Sequence, residues 1–281
     1  GYEAQLESWY RFLVEPDPHD KIVVQGDSAM LVGSDQVLLQ QRADFMRPDS
    51  LLLIVMLSDE NDCSVRDGGQ FYFASQLYKP GTNNPYHMPK PRAACATDPK
   101  SPCCRSCGQQ PGAGCSDAQD DCSEPLKPVD DQINLRCFDQ KRRFGIDFLW
   151  PKERYTTGLT STAIADRHGN VVPNPLYVAN GRNPGQVLLA SIVGVPWQLI
   201  ARKDTNGDPS LLNGLDRNGK ETGGFQSSEE MAENGTWDQI LGDPQNYVPP
   251  QNPLMIEAVD ARSGTDQTIN GGEYTIAQRN D

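Results

Sequence analysis

No run in the 281 residues approaches the ~20 consecutive apolar positions that a membrane-crossing helix needs. Positive charge is in deficit: 25 Lys and Arg stand against 38 Asp and Glu, giving a formal net charge of −13 and a pI near 4.7. Such a surface repels phosphate backbones and anionic lipid, which disfavours nucleic-acid and membrane-surface partners. It suits divalent cations or basic protein patches, and it also serves plain solubility. Aromatic residues are sparse, at 7%. Histidine occurs three times, as His19, His87 and His168, each in a turn-like setting and none with a second His at metal-ligand spacing. Neither G-x-S-x-G nor H-E-x-x-H occurs, so a non-enzymatic protein is expected, a triad assembled only by the fold being the exception. The chain opens Gly1-Tyr2-Glu3 without Met or a signal-like segment, from which a mature product or a piece of something longer is expected.

Glycine and proline are plentiful, at 25 and 22 residues, which suggests an α/β core interrupted by long irregular excursions. Two apolar runs, Leu51-Leu-Leu-Ile-Val-Met-Leu57 and Val187-Leu-Leu-Ala-Ser-Ile-Val193, demand a packed interior and exclude a disordered chain. The eight cysteines, Cys63, Cys95, Cys103, Cys104, Cys107, Cys115, Cys122 and Cys137, lie in one stretch among Pro, Gly, Ser and Asp. Those residues build no core, so the stretch needs cross-links, each worth ~2–4 kcal/mol. Up to four disulfides are expected, their pairing open, and with them an oxidising compartment. Zinc is the rival reading, but Cys104-Arg-Ser-Cys107 lacks the second C-x-x-C of a zinc ribbon.

Along the chain, Tyr2, Leu6, Trp9, Tyr10 and Leu13 share a helical face that Pro16 and Pro18 end. A polar turn region follows to Gly33. Ser34 is then expected to cap a second helix with Val37, Leu38 and Phe45 inward. The 51–57 run reads as a strand buried on both faces, at the centre of a parallel sheet, with Ser58-Asp-Glu-Asn-Asp62 at its carboxyl end, where ligand sites of open α/β sheets lie. Four parts are expected: a helix-helix-strand portion of an α/β core over 1–63, a cysteine-rich insertion over 64–137, the rest of that core over 138–200, and a loop-rich extension over 201–281. Two convincing strands are too few for a doubly wound sheet, so weaker segments or sequence upstream must supply the rest.

The strings Gly1-Tyr-Glu3, Leu6-Glu7, Gln41-Arg42, Phe45, Arg47-Pro-Asp-Ser50 and Ser58-Asp-Glu-Asn-Asp-Cys-Ser64 resemble the later half of a von Willebrand factor A-like domain of large secreted or lipid-anchored bacterial envelope proteins. Arg136-Cys137, Arg143-Phe-Gly-Ile-Asp-Phe148, Arg154-Tyr155 and Ile192-Val-Gly-Val-Pro-Trp-Gln198 continue the likeness, which thins beyond Gln198. The resemblance implies a doubly wound, mainly parallel sheet, incomplete in this chain, with a metal-ion-dependent adhesion site. Asp59 matches the last element of that site. The Asp-x-Ser-x-Ser loop of the family is missing from the 281 residues, so the resemblance implies either that upstream sequence of the same polypeptide completes the site or that there is none.

Candidate metal ligands form two groups. Asp59 and Asp62, with Glu60, crowd carboxylates at a strand end, suited to Mg²⁺ or Ca²⁺; the alternative is a solvated turn with Asp62 capping amides. Asp204, Asn206 and Asp208, with Asp216 and neighbours Asn213 and Asn218, supply oxygens as calcium loops do. Leu215 stands where an EF-hand needs Glu, so a calcium loop of another kind or an Asn/Gly/Asp turn cluster are the open readings. Gly214-Leu-Asp-Arg-Asn-Gly-Lys220 matches a P-loop by chance, Glu221 replacing the Ser or Thr. Trp150, Trp197 and Trp237 are recognition anchors or core, and Asn234-Gly-Thr236 fits a glycosylation acceptor. The expected function is an exported, cell-surface adhesion or assembly module binding a protein partner or itself, with a divalent ion as bridge. A structural subunit of an extracellular fibre or envelope complex is the alternative, and a metal-dependent hydrolase using Asp59 and Asp62 another.

Overall fold

The computed structural model describes residues 3–58, 60–116, 118–178, 181–257, 265–266 and 272–273. The chain divides into two compact units, Gly1–Val193 and Gly194–Asp281.

The first unit opens with α1, Gln5–Leu13, whose Trp9, Tyr10 and Leu13 are buried at the spacing the sequence predicts. Tyr2 lies outside the described residues. The polar turn expected up to Gly33 is instead an antiparallel hairpin of β1, Lys21–Gln25, and β2, Ser28–Val32, closed by Gly26-Asp27. The next helix, α2, Gln36–Phe45, is capped by Asp35 rather than Ser34. The Asp35 carboxylate accepts the Leu38 N–H at 2.9 Å, while the Ser34 hydroxyl donates to Asp17. Val37 and Phe45, expected inward, are 69% and 56% exposed. Arg42 is buried instead and donates to the carbonyls of Phe12, Arg11 and Glu15, fastening α2 to the end of α1.

β3, Leu52–Ser58, follows. After the cysteine-rich insertion, with α3 at Ala94–Thr97, come α4, Gln140–Phe144, and α5, Lys152–Thr160. A short hairpin of β4, Ala163–Ala165, and β5, Val171–Pro173, leads on to β6, Val187–Val193. β6 runs parallel to β3, from Leu52 opposite Val187 to Ser58 opposite Val193. The fold is mixed α/β with small sheets; among the described residues each sheet has two strands, and β3–β6 is the parallel one.

α1, α5 and the inner side of β3 form the core, with Trp9, Tyr10, Leu13, Val14, Leu52, Ile54, Tyr155 and Leu176 buried together. Gly158 lets the helices meet: a Cβ there would stand 2.7 Å from the Tyr10 ring and 3.2 Å from Val14. Tyr155 meets both Trp9 and Tyr10 edge-on, each at 5.7 Å between ring centres.

All eight cysteines are paired, as Cys63–Cys137, Cys95–Cys104, Cys103–Cys115 and Cys107–Cys122. The first closes the insertion at its two ends; the other three interlock within 95–122 and give that Gly- and Pro-rich stretch its shape. The insertion rests on a small core of Ala74, Met88, Phe144 and Phe148. Arg136 runs through it fully buried, paired with Asp131.

In the second unit Arg202 is the hub. It pairs with Glu230 at 2.8 Å and Glu221 at 3.0 Å, and Glu230 in turn completes a capping box with Ser227 at the start of the helix Ser228–Glu233. No helix among the described residues is long and apolar enough to cross a membrane.

Candidate interaction surface

In a parallel pair, residues opposite one another point to the same side of the sheet. Leu52, Ile54 and Met56 of β3 point into the core, so Leu53, Val55 and Leu57 point away from it, beside Leu188, Ala190 and Ile192 of β6. This outer side is open. Leu53, Val55 and Leu57 are 58%, 54% and 66% exposed, and Leu188 and Ile192 are 50% and 68% exposed. Ala190 is exposed as well. The six form an apolar surface with no polar side chain in it, comparable to the largest patch a monomeric protein exposes, which is often functional. Burial on both faces, the expectation for this run, is thus corrected: the alternation along β3 is that of a strand covered on one side.

The carboxyl end of β3 is tied to the N-terminal segment. Asp59 lies outside the described residues. Asp62 accepts the Leu6 N–H at 3.0 Å with Oδ1, and the Ser64 N–H at 3.0 Å with Oδ2; Oδ1 also takes the Ser64 hydroxyl at 3.0 Å. Ser64 Oγ accepts the Glu7 N–H at 2.9 Å. Both carboxylate oxygens of Asp62 are therefore engaged in seating the first turn of α1 on the strand end, the amide-capping arrangement that was the alternative to a metal ligand. Ser58, on the same rim, joins Gln5 at 2.9 Å and Glu3 at 2.9 Å.

Asp204, Asn206 and Asp208 share one turn. Asp204 Oδ1 accepts the N–H of Asn206 at 2.8 Å and of Asp208 at 3.1 Å, while Asp204 N–H donates to the Asp208 carbonyl at 2.8 Å. Asp216 builds the same turn on Asn218, at 2.7 Å, and Lys220, at 2.9 Å, and so does Asp166 on His168 and Asn170, both at 2.8 Å. Each has Gly as its fourth residue, Gly207, Gly219 and Gly169, with φ of +94°, +78° and +84°, which a Cβ would strain. The backbone N–H groups hold Asp204 and Asp216 below the usual carboxylate range. Among the described residues no three His, Cys, Asp or Glu side chains converge as a metal site.

Behind the strand end lies a buried charge cluster that the sequence did not disclose. Arg154 of α5 bonds Glu7 and Glu15, and its guanidinium covers the rings of Tyr10 at 3.7 Å and Trp150 at 4.2 Å. Burial pushes the carboxyls of Glu7 and Asp67 up, although Arg154 beside Glu7, and His19 beside Asp67, pull the other way. Trp150 is thus packed beneath Arg154 rather than presented outward. Trp237 Nε1–H donates to the Ser228 carbonyl at 3.0 Å, and Trp197 is 41% exposed. The histidines each face a carboxylate: His19 Asp67 at 3.9 Å, His87 Asp131 at 3.3 Å and His168 Asp17 at 3.6 Å.

No protein-family model matches the chain, and comparisons with curated proteins and with solved structures gave no match.

Proposed function

We propose that the chain is an exported, non-enzymatic assembly or adhesion module, and that the open side of β3 and β6 is the surface through which it meets a protein partner. The observation that carries this reading is the row of Leu53, Val55, Leu57, Leu188, Ala190 and Ile192, an apolar face on a parallel strand pair. Parallel strands are stable where both faces are covered, so such a face is a surface awaiting a partner. Export is supported by the four disulfides, which persist in oxidising compartments. Kinship with von Willebrand factor A-like domains belongs to the same reading and is supported by the parallel pairing of the two apolar runs and the loops at their carboxyl ends.

The test compares the wild type with a Leu57→Lys, Ile192→Lys double variant. Both side chains are exposed, so the variant keeps its circular dichroism and its disulfides. The wild type is expected to bind an apolar fluorescent dye; the variant is expected to lose most of that binding. Equal dye binding would remove the open face from the reading.

A further inference from the structure

We infer that the open face is completed by strand addition, in which an extended apolar segment of another polypeptide, uncharged or basic at its ends, pairs with the free edge of β3. This rests on the interaction reading above and specifies how that surface is used. Among the described residues β3 pairs with β6 alone, leaving one edge of Leu52–Ser58 without backbone partners. The free edge decides between kinds of cover. A helix or a lipid surface laid on the open face covers its side chains but leaves the edge N–H and C=O groups to water. An added strand meets those groups with its own and extends the apolar face at the same time.

The edge of β3 is favoured over that of β6 by what lies beneath. Leu52 and Ile54 are each 8% exposed, because α1 packs under β3, whereas Leu189 and Val193 on the same side of β6 are 45% and 46% exposed. A strand beside β3 joins a helix layer already in place. The chemistry of the partner follows from charge. β3 has no ionisable residue within Leu52–Ser58, so the paired stretch must be apolar or neutral. The chain carries a net −13, with Glu60 exposed just past the strand, so Lys or Arg at the ends of the incoming segment are attracted. A second copy brings another −13 and is repelled for the same reason.

The probe is a synthetic Val/Ile/Thr peptide flanked by lysines, added to the full chain with its disulfides intact. Its control is the same peptide N-methylated at alternate residues, which keeps the apolar surface and removes one edge of donors. The expected result is slowed hydrogen exchange at amides within 52–58 and binding weakened about tenfold or more by methylation. Leu57→Lys is expected to weaken both peptides. Equal binding of the two peptides, still lost in Leu57→Lys, would overturn strand addition and leave the apolar interaction surface standing. Protection confined to 187–193, or a stable symmetric dimer formed without peptide, would overturn the edge and the partner named here. No binding of either peptide, together with no effect of Leu57→Lys on dye binding, would overturn both readings.

Discussion

Arg154 on α5 grips Glu7 on α1 with two parallel bonds, Nε to Oε2 at 3.1 Å and Nη2 to Oε1 at 2.8 Å, in an interior that excludes most water. Nη2 also reaches Glu15 at 2.7 Å, so one guanidinium serves two carboxylates that are 11% and 9% exposed. Removing it leaves both uncompensated. Arg154→Met is expected to cost ~3–5 kcal/mol of unfolding free energy in the first unit. Arg154→Lys keeps the charge without the planar fork and should fall between. Urea unfolding followed by Trp fluorescence checks the order; a Met variant as stable as the wild type would show that the cluster holds nothing together.

The same cluster sets a pH dependence. Burial raises Glu7 above 4.5 and Asp67 above 3.8, so the folded state holds these protons longer than the unfolded state does. A raised carboxyl stabilises fully below its unfolded pKa, and that contribution is lost as pH rises through the folded value. The wild type should therefore lose stability relative to Glu7→Gln as pH rises above about 4.5. Melting temperatures of both proteins between pH 4 and 7 test it. A constant difference, or one of opposite slope, contradicts the raised Glu7.

The insertion hangs on Arg136, which is 2% exposed in its side chain. Nε and Nη2 bond the two Asp131 oxygens at 2.7 Å each, and the remaining donors reach the carbonyls of Ala74, Gln76 and Tyr86. Lysine has three donors and no fork, so Arg136→Lys leaves acceptors unmet in a closed space. The expected loss is about 3 kcal/mol or more, read as faster hydrogen exchange over 74–88 with β6 unchanged. Uniform acceleration throughout the unit would mean that the insertion and the core open as one.

What the sequence disclosed depended on whether a residue's surroundings were local. The spacing of Trp9, Tyr10 and Leu13 and the runs at 51–57 and 187–193 state their own conformations, and α1, β3 and β6 stand where they were expected. The hairpin Lys21–Val32 had a signal too, Ile22-Val-Val24 and Ala29-Met-Leu-Val32 around Gly26-Asp27, but it is short. The openness of β3 had none: a continuous apolar run reads the same whether or not anything lies across it. Arg42 and Arg136 are likewise held by carbonyls, and Arg154 by carboxylates, distant in sequence, and the role of Asp62 was decided by the Leu6 amide that came within reach. Eight cysteines allow 105 pairings, and spacing alone does not choose among them.

The four disulfides should not weigh equally. Cys63–Cys137 closes 74 residues, while Cys95–Cys104 closes 9. Chain-entropy reasoning gives about 4 kcal/mol for the first and about 2.5–3 kcal/mol for the second. A Cys63→Ser, Cys137→Ser protein is expected to be the less stable of the two double variants and to free the whole insertion to proteases. Cys95→Ser with Cys104→Ser should loosen its tip. If the two double variants melt together, loop length is not what these bridges act through.

Asp216 supplies a built-in control for calcium at Asp204. The two turns share their hydrogen bonds, but Lys220 stands where Asp208 stands, and an ammonium repels a cation. The Asp216 turn forms beside a lysine on the carboxylate's capping of two amides, and Asp204 caps two amides in the same way. Adding Ca²⁺ is expected to leave the amide resonances of 204–208 as unmoved as those of 216–220, and EDTA is expected to leave melting unchanged. Acid is the agent that should act on both. Backbone N–H groups lower these two carboxyls, so their support is present above the ordinary Asp value of 3.8 and is lost as pH falls through the folded value. Asp204→Asn retains an acceptor and should keep the turn, whereas Asp204→Ala should fray it. A calcium-dependent shift confined to 204–208 would give that loop an ion to hold and overturn the equivalence of the two turns.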